Sequence, residues 1–428
     1  MGVSEVHRTV EAVWRIEAAR LVAGLFGMVR DVGWAEELAQ DALVAALEQW
    51  PRDGIPDNPG AWLMAIGKRR AIDGLRHRTM AERKLATFGR ELTVGGELVE
   101  DDHAAVEDAV DGQIEDDLLR LVFTACHPVL PAQARAALTL RMLGGLTTGE
   151  IARAFLVPES TVAQRIVRAK RTLAEAKVPF ETPGPDERTE RLGSVLEVIY
   201  LIFNEGYLAT AGDDWLRPAL CEEALRLGRV LCSLMPDQPE VFGLTALMEI
   251  QISRNAARVG PAGEPVLLFD QDRSRWNQNS IRRGLTALDR ARELGGPAGP
   301  YTVQAEIAAC HARARTPEVT DWPRIVELYA ELARLVPSPV VELNRAVAVS
   351  FAVGPAAGLE LARSLADEPA LAGYHLLPSV IGDLLVRLGR LAEARVEFER
   401  AAELTDNERE QRLLRARAAA CRPQPTPS

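Results

Sequence analysis

Residues 146–173, LTTGEIARAFLVPESTVAQRIVRAKRTL, decide how the rest of the chain is read. Thr147 followed three residues later by Glu150 spells a capping box, in which each side chain satisfies an orphan N–H at the start of a helix. Ile151, Ala152 and Phe155 then line one apolar face of a short helix. Leu156-Val157-Pro158 breaks it, because the proline ring clashes with a continuing helix. A second helix is predicted from Glu159, with Val162, Ile166, Ala169 and Leu173 facing inward. Its other face carries Ser160, Thr161, Gln164, Arg165, Arg168, Lys170 and Arg171. From Ile151 to Lys177 six Lys or Arg stand against two Glu. Short polar side chains near the helix start, followed by a basic track, suit a helix-turn-helix. The second helix of that motif reads base edges in the major groove while its flank neutralises phosphates. The bland alternative is an ordinary helical hairpin with a solvated basic face. The coincidence of capping box, short turn and polar face disfavours it.

Composition sets the outer bounds. A chain of 428 residues has room for two or three domains, and 47% hydrophobic with 26% charged residues is the balance of a soluble globular protein. The net charge of −11 argues against indiscriminate nucleic-acid binding. It leaves local DNA binding open, since the relevant quantity is local charge. The five cysteines are odd in number, scattered and without a CxxC, which fits a reducing cytoplasm. Cys126-His127 and Cys310-His311 are adjacent pairs lacking partners at zinc-site spacing, so buried structural cysteines are expected and no metal or cofactor. The most apolar run, Val195 to Phe203, is too short to span a bilayer and contains Glu197, so no membrane segment is expected.

Before the helix-turn-helix, residues 5–50 carry helical periodicity. Ile16, Leu21, Leu25, Phe26 and Val29 make one apolar stripe. Leu38, Ala42, Ala45 and Ala46 face inward in the next helix, with Glu36, Glu37, Gln40 and Asp41 among its polar positions. PRDGIPDNPG, Pro51 to Gly60, predicts a loop. A third helix follows, AWLMAIGKRRAIDGLRHR, with Trp62, Leu63, Ile66 and Ile72 as its apolar face. From Lys68 to Lys84 seven basic residues stand against two acidic ones. A basic track beside aromatic residues suits single-stranded nucleic acid; a solvated helix surface is the plainer reading. Glu91 to Asp117 holds eleven acidic residues and no Lys or Arg, which predicts a solvated, largely disordered linker. Leu118, Leu119, Leu121, Val122 and Phe123 begin the second module. Pro131 marks a helix start and Gly144-Gly145 a helix stop. Glu181 to Asp186, with two prolines flanking a glycine, is a second linker.

Two basic helical modules in this order resemble a bacterial RNA polymerase sigma factor of the extracytoplasmic-function (ECF) type. DVGWAEELAQDAL (Asp31 to Leu43) and AWLMAIGKRRAIDGLR (Ala61 to Arg76) are similar to regions 2.2 and 2.3–2.4 of that family. Leu130 to Leu173 is similar to region 4. The resemblance covers roughly residues 5–178. It implies an all-α chain in the cytoplasm: a region 2 domain over 1–85, an acidic linker over 86–117 and a region 4 domain over 118–180. It implies binding to the polymerase core, at the clamp helices and flap, and to promoter DNA. Glu37, Gln40 and Asp41 would dock on the clamp helices. The loop Pro51 to Gly60, with Asn58, would hold a base flipped from the −10 element. Trp62, Lys68, Arg69, Arg70 and Arg76 would assist strand separation and hold phosphates. Ser160, Thr161, Gln164, Arg165, Arg168, Lys170 and Arg171 would face the −35 element. The acidic linker would thread the channel later taken by nascent RNA. One departure is visible: Arg69 stands where the family usually carries asparagine.

Residues 187–420 read as a helical extension without any nucleotide-binding signature. Apolar helices are predicted over Val195–Tyr207, Leu216–Leu234, Val241–Ser253 and Ile281–Leu294. Helix pairs are predicted to start near 301, 339 and 371. Leu384 to Leu404 matches a tetratricopeptide repeat, with Leu388-Gly389, Ala394, Phe398 and Ala401 as its interlocking positions. Such arrays bind a protein partner along a concave face. The combination resembles the ECF subgroup with a long repeat-containing C-terminal extension, which implies a regulatory role for it. Leu267 to Gly284 (LLFDQDRSRWNQNSIRRG) gathers Asp270, Asp272, Arg273, Arg275, Trp276 and Asn277. An inter-helix loop with locally paired charges is favoured there over a ligand or catalytic site, since no nucleophile–base pair or metal cluster is evident. Two rivals to a non-enzymatic sigma factor stand beside it. One is a helix-turn-helix regulator with a ligand-sensing helical domain, against which Asp31 to Arg76 argues. The other is a helical enzyme acting through Asp270–Asn277.

Overall fold

The computed structural model describes residues 3–87, 107–155, 157–207, 218–260, 266–405 and 408–421, and all regular elements among them are helices. The chain forms two compact units, Met1–Leu201 and Ile202–Ser428. Among the described residues no helix is long and apolar enough to cross a membrane.

In the first unit α1 (Val3–Val29) turns into α2 (Val32–Asp53) at Arg30, whose φ of 55° reverses the chain. Asp31 then caps α2 by accepting from the Trp34 N–H at 2.8 Å. The buried face of α1 keeps Leu21, Leu25, Phe26 and Val29, but Ile16 is 67% exposed and Ala18, Ala19 and Val22 are buried instead. A similar correction falls on α3 (Pro59–Thr87): Ile72 is 42% exposed. Its inward face is Leu63, Gly67 and Ala71, one position every four residues. Small residues there let α3 sit close on α1; a Cβ on Gly67 would lie 2.9 Å from Leu25 Cδ1.

Two expected loops are shorter than their sequence suggests. α2 continues through Pro51 to Asp53, so the loop is only Gly54 to Asn58. Proline in a last helical turn forfeits a single backbone bond, and Gly54, at φ 89°, closes the helix by donating to the Trp50 carbonyl. α4 (Glu107–Ala125) begins inside the stretch read as linker. The rest of that stretch, 88–106, lies outside the described residues. α4 packs on α1, where Asp117 is buried and receives Arg120 Nη1 at 2.7 Å. Burial raises the Asp117 carboxyl, against the lowering charges of Arg120 and Arg30. An acidic run therefore becomes helix because tertiary packing and a cation partner offset its charge.

α5 (Ala132–Met142), α6 (Thr148–Phe155) and α7 (Glu159–Glu175) form the helix-turn-helix and its support. The capping box is in place: Thr147 Oγ1 accepts from the Glu150 N–H at 3.1 Å and Glu150 Oε2 from the Thr147 N–H at 2.8 Å. Val162, Ile166, Ala169 and Leu173 are buried. α8 (Pro185–Tyr207) follows the Pro-Gly segment. Its first half buttresses α4 and α5: Arg191 Nη2 donates to the Phe123 carbonyl at 3.0 Å, and Ser194 Oγ to the Cys126 carbonyl at 2.6 Å. Buried Arg135 of α5 is met by Ser194 and by Glu197 at 3.1 Å.

In the second unit, α9 (Pro218–Leu234), α10 (Pro239–Ile252) and α11 (Gln278–Leu294) lead into paired helices. These are α12 (Pro300–Arg313) with α13 (Trp322–Leu335), α14 (Pro339–Ala352) with α15 (Pro355–Arg363), and α16 (Leu376–Arg387) with α17 (Leu391–Glu403); α18 (Glu408–Ala420) closes the series. Pro300, Pro339 and Pro355 open their helices where a missing N–H costs nothing. The third pair starts at Leu376 rather than near 371, because Pro369–Leu371 is a separate 3-10 turn. Ala394, Phe398 and Ala401 are buried, and the Phe398 ring lies against Gly382, where a Cβ would come within 2.8–3.0 Å of three ring carbons. The Leu267–Gly284 segment is a 3-10 turn, Arg273–Arg275, followed by α11 with Asn277 as its cap. Asp272 does close locally, on Ser274, but Arg273 reaches distant backbone and Trp276 is buried.

Candidate nucleic-acid and polymerase interface

Three helices of the first unit carry the residues expected to act. On α7 the buried stripe fixes which positions look outward, and Ser160, Gln164, Arg168 and Arg171 are exposed, with Thr161, Arg165 and Lys170 half-buried. The side chains of Gln164, Arg165 and Arg168 enter no hydrogen bond or ion pair among the described residues. Arg171 is engaged by Glu175 one turn on, at 2.6 Å. Both side chains are largely solvated there, so a phosphate competes easily for the guanidinium. Val167, 65% exposed between these polar positions, escaped the sequence reading. An apolar side chain on such a face suits a thymine methyl group, and an exposed valine in a row of polar residues was the signal available.

Lys170 is placed differently. Its ammonium bonds Glu36 of α2, whose other oxygen receives Arg141 Nε of α5 at 2.5 Å. Glu36 is only 9% exposed. Burial alone would raise its carboxyl; the charges and hydrogen bonds of Lys170 and Arg141 outweigh that and hold it below its ordinary value. A buried acid with two cations ties α2 to the helix-turn-helix. Nothing in the periodicity of either segment predicts that pairing, because Glu36 and Lys170 are 134 residues apart.

On α2, Glu37 and Asp41 are exposed and Gln40 is half-buried, donating to Glu36 at 3.2 Å. Val44, 49% exposed, and Leu47 extend the same side of the helix, so the surface mixes acid with apolar contact. Asp41 pairs with Arg70 of α3 at 2.9 Å, joining a residue expected to meet polymerase to one expected to meet DNA. On α3, Lys68, Arg69, Arg70 and Arg76 are all exposed, along consecutive turns. Trp62 is half-buried and packs edge-on to Trp50, ring centroids 5.5 Å apart. Asn58 caps α3, its Oδ1 accepting from the Ala61 N–H at 3.0 Å, so its side chain has a structural role in this loop.

Comparison with known proteins matches this geometry to a class. Residues 15–80 match the Sigma-70 region 2 family, residues 120–173 the Sigma-70 region 4 family, and residues 191–292 a family of unknown function, DUF6596. An uncharacterized protein of Rhizobium meliloti (strain 1021) is 45% identical over 395 residues, 92% of this chain and 91% of that one. The probable ECF RNA polymerase sigma factor SigI of Mycobacterium tuberculosis is 30% identical over 174 residues, 40% of this chain and 57% of that protein. ECF RNA polymerase sigma factor SigC of the same organism is 27% identical over 180 residues, 42% of this chain and 84% of that one. Among solved structures, yeast Tom70 aligns over 98% of this chain and 85% of that one, at 12% identity and a TM-score of 0.31.

A chain with these two modules in this order is a sigma factor. It belongs to the extracytoplasmic-function sigma factors, and carries a DUF6596 helical domain after region 4. Its function is promoter recognition for RNA polymerase, exercised by binding the polymerase core and promoter DNA rather than by bond chemistry.

Proposed function

We propose that the chain reads a −35 element as duplex through α7, and melts and captures a −10 element along α3, while α2 holds the clamp helices of the polymerase. The observation that carries this reading is the outward face of α7. Gln164, Arg165 and Arg168 stand unengaged on a helix whose start is fixed by a capped partner helix. Gln164 and Arg165, nearest the helix start, are base readers; Arg168 and Arg171 are phosphate contacts. Lys170 joins them only by exchanging Glu36 for a phosphate oxygen. Lys68, Arg69, Arg70 and Arg76 track the backbone of the separated strand, with Trp62 beside them. Region 4 also meets the polymerase flap. The second unit braces the first on polymerase and so acts positively, with a protein partner along its helical repeats. The test is transcription in vitro with core polymerase and a promoter library. Enriched promoters should share two elements at one spacing, and Arg165→Ala should change only the upstream one. Enrichment that ignores the upstream element overturns the assignment of α7.

A further inference from the structure

The second unit holds a pocket of about 650 Å³ walled by α11, α12, the turn after it and the start of α13. Four arginines line it, Arg292, Arg313, Arg315 and Arg324, against two acids, Glu306 and Asp321. Glu306 is engaged through both oxygens and Asp321 through one. Both oxygens of Glu306 are taken by Arg292, at 2.6 and 2.5 Å, and Asp321 Oδ1 caps α13 by accepting from the Arg324 N–H at 3.1 Å. Arg292 gives its remaining Nη1 to Asp289, and Arg324 gives Nη1 to Glu327. Arg313 and Arg315 are exposed, and their side chains enter no hydrogen bond or ion pair among the described residues. Two arginines without a side-chain partner, the sequence neighbours of Ala314, therefore line the pocket.

Their backbone is held in place. Arg273 Nη1 donates to the carbonyls of His311 at 2.9 Å and Ala314 at 2.8 Å, and its Nη2 to Thr320 Oγ1 at 3.2 Å. Arg273 belongs to the DQDRSRW stretch that stood out in the sequence, and this clamp is what the residue does. A pinned turn reduces the backbone entropy lost when its side chains close on a ligand. Guanidiniums match the oxygens of a phosphate group. The volume is that of a small-molecule site. No aromatic ring lines it, so nothing is present to stack a nucleobase. Asp321 lines the same pocket, and its Oδ2 has no hydrogen-bond partner among the described residues, which leaves an acceptor for a ligand hydroxyl.

We propose that this pocket binds a phosphorylated polyol of the sugar-phosphate class, with Arg313 and Arg315 on the phosphate and Asp321 on a hydroxyl. This goes beyond promoter recognition and does not depend on how α7 or α3 meets DNA. It gives the extension a small-molecule input of its own.

The experiment is calorimetric titration of the full chain with glucose 6-phosphate, glucose, inorganic phosphate and ATP at one ionic strength. Glucose 6-phosphate should bind saturably and glucose should not. Arg313→Gln with Arg315→Gln should weaken that binding about tenfold or more, the loss expected for charge-assisted hydrogen bonds. Both residues are exposed, so the fold survives. A charge-matched control, Arg334→Gln with Arg400→Gln, should bind as the parent does. The proposal is overturned if none of the anions gives a saturable heat, or if the control pair loses as much affinity as the pocket pair. Tighter binding of ATP than of the ester overturns the exclusion of a base. Inorganic phosphate binding as tightly as the ester overturns the hydroxyl contact.

Discussion

Gln164 and Arg165 point outward because Val162, Ile166 and Ala169 point inward, and that division is set by 3.6-residue periodicity alone. Loss of either should cost about 1–3 kcal/mol at one base pair of the −35 element, whereas Arg168→Ala should weaken all sequences alike. Promoter output on a matched set of −35 variants separates the two, and a uniform effect from Gln164→Ala would show it to be no base reader. Glu36 was legible only as a polar position beside the residues proposed to face polymerase. Its burial, and its capture of Lys170 and Arg141, follow from how the modules pack. Glu36→Gln should destabilise the first unit by about 2–3 kcal/mol, somewhat below a fully buried pair because both cations are partly solvated. The folded carboxyl is lowered relative to its ordinary value of 4.5. Its contribution is therefore present above that value and lost as pH falls through the folded one. The gap in melting temperature between parent and Glu36→Gln should accordingly close in acid below about pH 4.5. A gap that is constant from neutral pH to pH 3 would mean that the charge is not what holds the two modules.

Helices were easier to read than their ends. The capping box, Pro158 and the inward stripe of α7 are local features, and all are realised as written. The end of α2 was not, since a Pro-rich string reads as loop although Pro51 tolerates the last helical turn. Ile16 and Ile72 were misplaced for a different reason: hydrophobicity suggested burial, while the close approach of α1 and α3 demanded Gly67 and Ala71. Two tests belong at this scale. Asp41→Arg on α2 loses its pair with Arg70 and places like charge against a basic clamp, a cost of several kcal/mol at an interface. Co-purification with core polymerase should fall, and Asp41→Asn should fall less; undiminished recovery would remove α2 as the docking helix. In the second unit Gly382→Ala drives a methyl group into the Phe398 ring, and such overpacking costs about 1–3 kcal/mol. Chemical denaturation followed by circular dichroism measures it, and an unchanged midpoint would mean that α16 and α17 are free to separate.

For the whole molecule the question is what the extension does to the sigma modules, and the structure changes how it should be asked. A cut after Phe180 would remove Arg191, Ser194 and Glu197, leaving buried Arg135 and the carbonyls of Phe123 and Cys126 without their partners. Such a fragment would fail for lack of α8, not for lack of the extension. A cut after Leu201 keeps those contacts and falls at the boundary of the two units. The bracing role predicts that residues 1–201 transcribe several-fold less than the full chain at equal folded concentration, checked by circular dichroism. A more active fragment would make the extension an inhibitor instead.

Short-range sequence signals suffice for the two basic modules, their order, the helix-turn-helix with its capping box and the outward face of α7, and the helical nature of the extension. These depend on contacts three or four residues apart, where side-chain chemistry and helical geometry suffice. Tertiary structure alone decided that Glu36 ties α2 to α5 and α7, that Asp41 faces Arg70, and that α8 completes the second module. It also decided that Arg273 pins the turn bearing Arg313 and Arg315. Each of these joins residues from 29 to 134 positions apart. A charged side chain shows no preference for one distant partner over another until packing removes the water between them.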